Sequence, residues 1–335
     1  MKMKPKEELI TIRDNKIQIE KLLMELVLEP RIKALEWSKI TKQTPNMKIG
    51  YPGQHLASLI TGMEGARTGA RGDDLSDGTE VKSCSRVDQL DTCSNCKEKV
   101  LRIEKVCPHC SSDKIKRMDD SKWLFSVKTE KEVKLLTNDI DRVLLTIADY
   151  PNFSEKDFDT IRFQAFEIWN RTERHKHFTT LINNYYNKIF LEHIKKNPNK
   201  TPAPKNFWPY SYQFYLCNPI KVFSCLVENA NEEPKINIDF IVNPEQNRQE
   251  LLSEQMPISI LQPDEVKQLS IVPKEIIEPQ LIDINYNKFI SIIQEKADKK
   301  FLLKHIPFVN EYTRDYFQLR DTDIISEAKN TYTRR

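Results

Sequence analysis

The chain is poor in glycine and places it in one stretch. Only seven of its 335 residues are glycine, all lie between Gly50 and Gly78, and none follows. Other features are missing too. No apolar run approaches the roughly 20 residues that a bilayer-spanning helix needs, so a membrane span is not expected. The N-terminus, MKMKPKEELITIRDNK, has no apolar core of the kind a signal peptide carries, which makes the cytoplasm the expected location. A large charge excess is absent: 52 Lys and Arg stand against 49 Asp and Glu, for a net charge of +3. That is too mild to argue for or against a nucleic-acid partner, and local patches carry more information. Seven cysteines are an odd number, and without a secretory signal they argue against a disulfide framework. Internal repeats are lacking as well. What is present is 39% hydrophobic and 30% charged residues, enough for two or three lobes around at least one sizeable core.

A chain that confines its glycine to one segment is building something there, since glycine permits positive φ and close approach of other groups. The segment is IGYPGQHLASLITGMEGARTGARGDDLSDGTEVKSC, from Ile49 to Cys84. Pro52 opens a short helix, GQHLASLITGM. Glu64 follows at its end, either an additional metal ligand or a solvated helix terminus. The loop Gly65 to Gly72 repeats Gly-Ala-Arg, and its Arg67 and Arg71 can touch phosphate or lie solvated. Asp73 to Lys82 then reads as strand, tight turn, strand.

Register decides which side chains converge. A three-residue loop, Ser76-Asp77-Gly78, puts glycine where a left-handed residue is wanted. Leu75 then faces Thr79 and Asp74 faces Glu80, so Asp74, Glu80 and Lys82 share one face and Leu75 and Val81 the other. A two-residue loop, Asp77-Gly78, would pair Leu75 with Glu80 and Asp73 with Lys82, setting a leucine among charges. The first register is preferred, with Asp73 kept as the alternative. Two carboxylates and a lysine on one face suit Mg²⁺, a hard cation that keeps waters and coordinates phosphate. Such a metal acidifies a bound water and neutralises charge building on a phosphate under in-line attack, while the lysine orients or deprotonates that water. Against this stands an exposed acidic hairpin with an ordinary Glu-x-Lys pair.

Cys93-Ser94-Asn95-Cys96 and Cys107-Pro108-His109-Cys110 are two Cys-x-x-Cys knuckles ten residues apart. Four thiolates at this spacing close on one tetrahedral Zn²⁺, a structural site with no open position. His109 reads as a bystander. The ribbon is too small for its own core, so the metal supplies its folding energy. The basic run from Lys97 to Lys116-Arg117 can sit against DNA, or the zinc can simply staple a long insertion. A second basic patch, Lys195, Lys196, Lys200 and Lys205, has no acid within its span. Cys84, Cys217 and Cys225 read as small buried apolar residues.

The remaining periodicities outline the fold. Residues 1–48 read as two amphipathic helices, broken at Pro30. Trp123 to Val127 reads as a strand, Glu132 to Ile147 as a helix, TIRFQAFEIW (160–169) as a strand carrying Gln164 and Glu167, either supporting groups of the site or solvated residues on a strand edge, and Lys176 to Lys195 as a helix. NPNKTPAPKNFWP (197–209) reads as a loop. SYQFYL, IKVFSCLV and KINIDFIV read as strands, and Ile284 to Glu295 and Glu327 to the end as short helices. The expected class is α/β: a mixed sheet flanked by helices, with the zinc ribbon inserted. The expected division is an N-terminal helical lobe (1–50), a core (51–196) with the ribbon at about 93–118, and a C-terminal region (197–335) for DNA recognition or dimerisation.

Asp74 followed by Glu80-Val81-Lys82 resembles the D-(D/E)xK nuclease superfamily. The stretch GARGDDLSDGTEVKSCSRVDQLDTCSNC, with CPHC and DDSKWLFSV behind it, resembles the MamI-type restriction endonucleases. The motif-bearing resemblance covers about residues 50–130. It departs from the family at Asp73, where a proline often precedes the metal-binding Asp. The resemblance implies a restriction-endonuclease-like core and a type II enzyme that hydrolyses double-stranded DNA at a short palindromic site, using Mg²⁺ and leaving a 5′-phosphate and a 3′-hydroxyl. Symmetric sites are matched by two-fold proteins, hence an expected homodimer. A repair or structure-specific nuclease of the same core and a non-enzymatic zinc-ribbon DNA-binding protein are the rival readings.

Overall fold

A computed structural model describes residues 3–67, 74–295 and 298–321. Its centre is a five-stranded sheet whose strands, numbered along the chain, are β1 (Glu80–Ser85), β2 (Arg142–Asp149), β3 (Ile161–Trp169), β4 (Ile220–Glu228) and β5 (Lys235–Ile241). They lie in the order β1-β2-β3-β4-β5. β1 runs parallel to β2, and the other neighbours are antiparallel. The sheet is therefore mixed, as expected. A parallel pair needs a long crossover, and residues 86–141 supply it, carrying the cysteine knuckles, a short strand Trp123–Phe125 and the helix Glu130–Lys134.

The sheet is covered on both faces. Along β2, Val143, Leu145 and Ile147 join one hydrophobic cluster with Phe166, Phe178, Leu181 and the C-terminal Phe289. Leu144 and Ala148 join the opposite cluster with Ile19, Leu23, Leu56, Ile60 and Val81. Successive residues alternate faces, and all eight residues of β2 are buried. This overturns the helix read over Glu132 to Ile147. Its first part is helical (Glu130–Lys134, continued in a wide turn Leu135–Asp139), but Arg142–Asp149 is a strand. A strand buried on both faces has no alternation and reads as a continuous apolar run, which helical spacing fits equally well.

Other readings divide the same way. The strands over 161–169, 220–228 and 235–241 are present, as are helices over Gly50–Thr61 and Tyr286–Glu295. The helical run expected from Lys176 is also present, as Lys176–Asn184, a wide-turn piece Tyr185–Phe190, and Leu191–Lys196. SYQFYL is not a strand but a short helix, Tyr212–Leu216, started by Ser211, whose Oγ accepts from Phe214 N at 3.3 Å. Aromatic content favours a strand, but a local cap decides for the helix. Within the 197–209 stretch, Lys205–Phe207 pairs with Trp123–Phe125. The helix read from Glu327 onward lies outside the described residues.

Two of the five central strands lie beyond residue 196, where the sequence reading ended the core. The N-terminal helical run, Asn15 to Thr41, is equally bound to it; it passes through Pro30 without the break read there, because Pro30 sits in the first turn of the piece Glu29–Thr41. Arg31, fully buried, forks onto Asp88 at 2.7 and 3.0 Å, a bidentate geometry that fixes orientation as well as position. No helix among the described residues is long and apolar enough to cross a membrane.

Candidate functional site

The turn into β1 is the one that the three-residue register requires. Gly78 N donates to Leu75 O at 2.9 Å, Leu75 N donates to Thr79 O at 3.3 Å, and Gly78 takes φ +83°. Leu75 and Val81 lie in the same hydrophobic cluster. Among the described residues upstream of the turn, Leu75 forms an isolated bridge with Gly65, flanked by Ala66 N donating to Asp74 O and Ser76 N to Glu64 O, and Asp74 is in no named strand. Its carboxylate turns to the backbone instead: Oδ2 accepts from Val81 N and Oδ1 from Gln54 Nε2, both at 2.8 Å. It thus sits on the peptide joining Glu80 to Val81.

On β1, Glu80 and Lys82 alternate to the same side, and Lys82 Nζ is ion-paired with Glu80 Oε1. The Glu80 side chain is 2% exposed and that of Lys82 25%. Both border a small cavity of about 60 Å³, with Ser126 and Glu132 opposite. Asp74 borders a different and larger groove, about 850 Å³, between the N-terminal helix and Gly50–Thr61; Glu64, Arg67, Gln54 and His55 also line it. The structure therefore joins Glu80 to Lys82 directly, brings Asp74 to the amide beside them, and leaves Glu64 and Arg67 along the groove. Arg71 and Asp73 lie outside the described residues. Oxygen donors flanking a buried strand end, with a lysine beside them, fit a hard divalent cation in kind.

Beneath this corner lies a network of buried charge of which the sequence pointed only to Glu167. Arg142 donates to Asp77 Oδ2 at 3.0 Å, to Thr79 Oγ1 at 2.9 Å and to Glu167 Oε1 at 2.9 Å. Glu167 Oε2 also accepts from Arg248 Nε at 3.2 Å and Trp169 Nε1 at 2.7 Å. Burial by itself would raise both acids. The arginines, with Thr79 at Asp77 and Trp169 at Glu167, outweigh it and hold both carboxyls below their ordinary range. Glu167 and Gln164 are thus not solvated at a sheet edge. β3 is the middle strand, Glu167 braces the turn that precedes Glu80, and Gln164 accepts from Tyr210 Oη at 2.8 Å. The signal was weak: an arginine and a glutamate inside two apolar strands.

Gly53 brings the helix Gly50–Thr61 onto β1. A Cβ there would stand 2.1 Å from Ser83 Oγ and 2.8 Å from Thr146 Oγ1, so only glycine lets the helix, and with it Gln54, come this close.

The four knuckle cysteines converge. Their Sγ atoms all lie within 4.8 Å of one another, with Cys93 to Cys110 at 3.6 Å and Cys96 to Cys107 at 3.5 Å. A tetrahedron of Zn–S bonds of about 2.3 Å has edges of roughly 3.8 Å, and a disulfide would be about 2.05 Å. The donor set fits a soft, closed metal site, and His109 is exposed outside it. The ribbon's arginines do not form a free basic surface. Arg102 and Arg117 both pair with Asp91, at 3.0 and 2.7 Å, and Arg102 is packed on the rings of Tyr150, Phe153 and Phe158. They fasten the ribbon to the sheet. Cys84, Cys217 and Cys225 are buried, as read.

The sequence profile of the MamI restriction endonuclease family matches residues 36–259. The chain belongs to that family. The match takes in the knuckles and all five strands of the central sheet. A relative, "Type II restriction enzyme MamI" of Microbacterium ammoniaphilum, is 30% identical over 82 residues, 24% of this chain and 27% of the relative. The matched stretch thus spans about a quarter of that relative's length. No solved structure matches the chain.

Proposed function

We propose that this family member is a type II restriction endonuclease that hydrolyses the phosphodiester bonds of double-stranded DNA at a short palindromic site, dependent on Mg²⁺ and acting as a homodimer. The observation that carries the reading is the Glu80–Lys82 couple at the start of β1, with Asp74 held on the amide of Val81 between them. We assign the sheet and its helices to the restriction-endonuclease-like core. Asp74 and Glu80 would hold the cation, with Asp73 as the alternative to Asp74, Glu64 as a further ligand, and Arg67 and Arg71 on phosphates. Bound there, Mg²⁺ would supply an acidified water and an electrophile for the phosphate. Lys82 orients or deprotonates the attacking water once its Nζ leaves Glu80, and the leaving strand would end in a 3′-hydroxyl, the other in a 5′-phosphate. Asp77, Arg142 and Glu167 keep the turn rigid so that the two carboxylates do not drift, since loose placement of such groups costs orders of magnitude in rate.

The knuckles are assigned a structural Zn²⁺ held by Cys93, Cys96, Cys107 and Cys110. One zinc per chain is expected by elemental analysis, surviving a chelator wash that strips Mg²⁺, because four thiolates in a closed site outbind carboxylates. A zinc-free protein that is fully folded would rule this out.

The deciding experiment is incubation with plasmid DNA and Mg²⁺, followed by sequencing of the ends. Discrete fragments with a common palindrome at every end are expected. Random nicking would favour a repair or structure-specific nuclease, and no cleavage with any divalent cation would end the enzymatic reading.

A further inference from the structure

The basic patch around Lys200 was left without a role by the catalytic reading. In the structure it borders a cavity of about 630 Å³ between the strand Trp123–Phe125 and the loop before Lys205–Phe207. Lys122, Lys128 and Lys200 line it, with the amides of Asn199 and Asn206, and no aspartate or glutamate is among its lining residues. Lys205, the last lysine of the patch, does not contribute: it is buried and donates to Gln213 Oε1 at 3.1 Å. The cavity adjoins the catalytic corner. Leu124 and Ser126 line both it and the small cavity beside Glu80 and Lys82. Its walls are set. Lys122 Nζ stands 4.2 Å over the Trp208 ring, Tyr185 Oη donates to Ala203 O, and Pro202 and Pro204 restrict the loop. Glu132, which lines the small cavity, turns Oε2 to its own helix start, where it accepts from Lys128 N and Thr129 N.

We propose that this cavity is a phosphate-backbone subsite for the DNA strand running out of the catalytic corner, with Lys128 and Lys200 as its principal phosphate contacts and Lys122 as a third. Three ammonium groups without a carboxylate match the repeating anion of a nucleic-acid backbone, and lysine, a point charge on a flexible stem, makes contacts indifferent to sequence. The amides of Asn199 and Asn206 add neutral donors. The subsite rests on the nuclease reading, because Leu124 and Ser126 place it next to the cavity of Glu80 and Lys82.

The test uses the full chain and a linear duplex fragment of a few hundred base pairs, with Ca²⁺ in place of Mg²⁺, and follows affinity against salt. For K128Q/K200Q, the slope of log affinity on log salt should flatten by about 1.8, from about 0.9 per phosphate contact removed. Affinity at moderate salt should fall by roughly tenfold or more, the charge-reversed K128E/K200E should fall further, and K128R/K200R should return to the parent value. Matched circular dichroism melts separate loss of contact from loss of fold. A parent that cuts and binds while K128Q/K200Q and K128E/K200E keep its affinity and slope overturns the subsite alone. A parent that neither binds nor cuts DNA overturns the nuclease reading, and the subsite with it.

Discussion

Two buried glutamates lie within a few residues' reach of the same turn and are held in different ways. Glu167 is fully enclosed and locked by Arg142, Arg248 and the Trp169 indole. Glu80 is nearly as buried, but its cation is Lys82, whose side chain remains a quarter exposed at the edge of a cavity. Arginine is permanently charged and forks onto a carboxylate in a fixed geometry; lysine is a compact charge on a mobile stem that can leave. The first arrangement suits a brace and the second a working group. Burial and charge alone do not separate the two; the identity of the cation and its access to open space do.

The comparison breaks most sharply on activity. Glu80→Gln, Lys82→Ala and Asp74→Asn should each lower cleavage by about a thousandfold or more, equivalent to roughly 4 kcal/mol in the barrier, while site-specific binding and the thermal midpoint hold. Asp73→Asn should lose little. Cleavage and binding assays at saturating Mg²⁺ read this directly; a near-normal Lys82→Ala would remove lysine from the mechanism, and a dead Asp73→Asn beside an active Asp74→Asn would exchange the two acids.

Glu167→Gln should do the reverse. It leaves Arg142 and Arg248 buried without their shared carboxylate, a loss of about 3–5 kcal/mol in stability, measured by urea unfolding. The activity that remains per folded molecule should fall far less than for Glu80→Gln. Equal losses of activity in the two variants would mean that the brace and the working group are not distinct.

A smaller effect is expected where the helix meets β1. Gly53→Ala forces a methyl against Ser83 and Thr146 and should cost about 1–3 kcal/mol, with a partial loss of activity as Gln54 and Asp74 shift. An unchanged midpoint would show that the contact gives way without strain.

The least effect should come from mild acid. Asp77 and Glu167 titrate below their ordinary values in the fold. Their stabilisation is therefore complete above the unfolded carboxylate range, about pH 4–4.5, and is lost only as pH falls through the lower folded values. Melts should be flat from neutral down to about pH 5 and then decline, and Glu167→Gln should flatten that decline. A decline that begins near neutrality would point to other groups.

Much was legible beforehand because it rests on local rules. The two knuckles needed only cysteine spacing, and the turn at Gly78 only the left-handed residue that a three-residue loop requires. The strands 161–169, 220–228 and 235–241 are dense in β-branched and aromatic residues. Arg142–Asp149 was misread because burial on both faces erases alternation, and Tyr212–Leu216 because a serine cap overrode aromatic content. The ribbon's basic run was ambiguous because sequence gives charges and not their partners: Arg102 and Arg117 are spent on Asp91.

By itself the sequence determined the chemistry available to this protein: four thiolates at metal-binding spacing, Glu80 and Lys82 two residues apart on one side of a strand, and a turn that only glycine completes easily. Those follow from covalent spacing and backbone sterics, which act over a few residues. Only the tertiary structure decided that Asp74 would reach the amide of Val81, that Arg142 and Arg248 would share Glu167, and that Leu124 and Ser126 would border both the cavity of Glu80 and that of Lys128 and Lys200. Each of these joins side chains brought together by a sheet that is buried on both faces, and the packing that closes such a sheet is set by the whole chain at once.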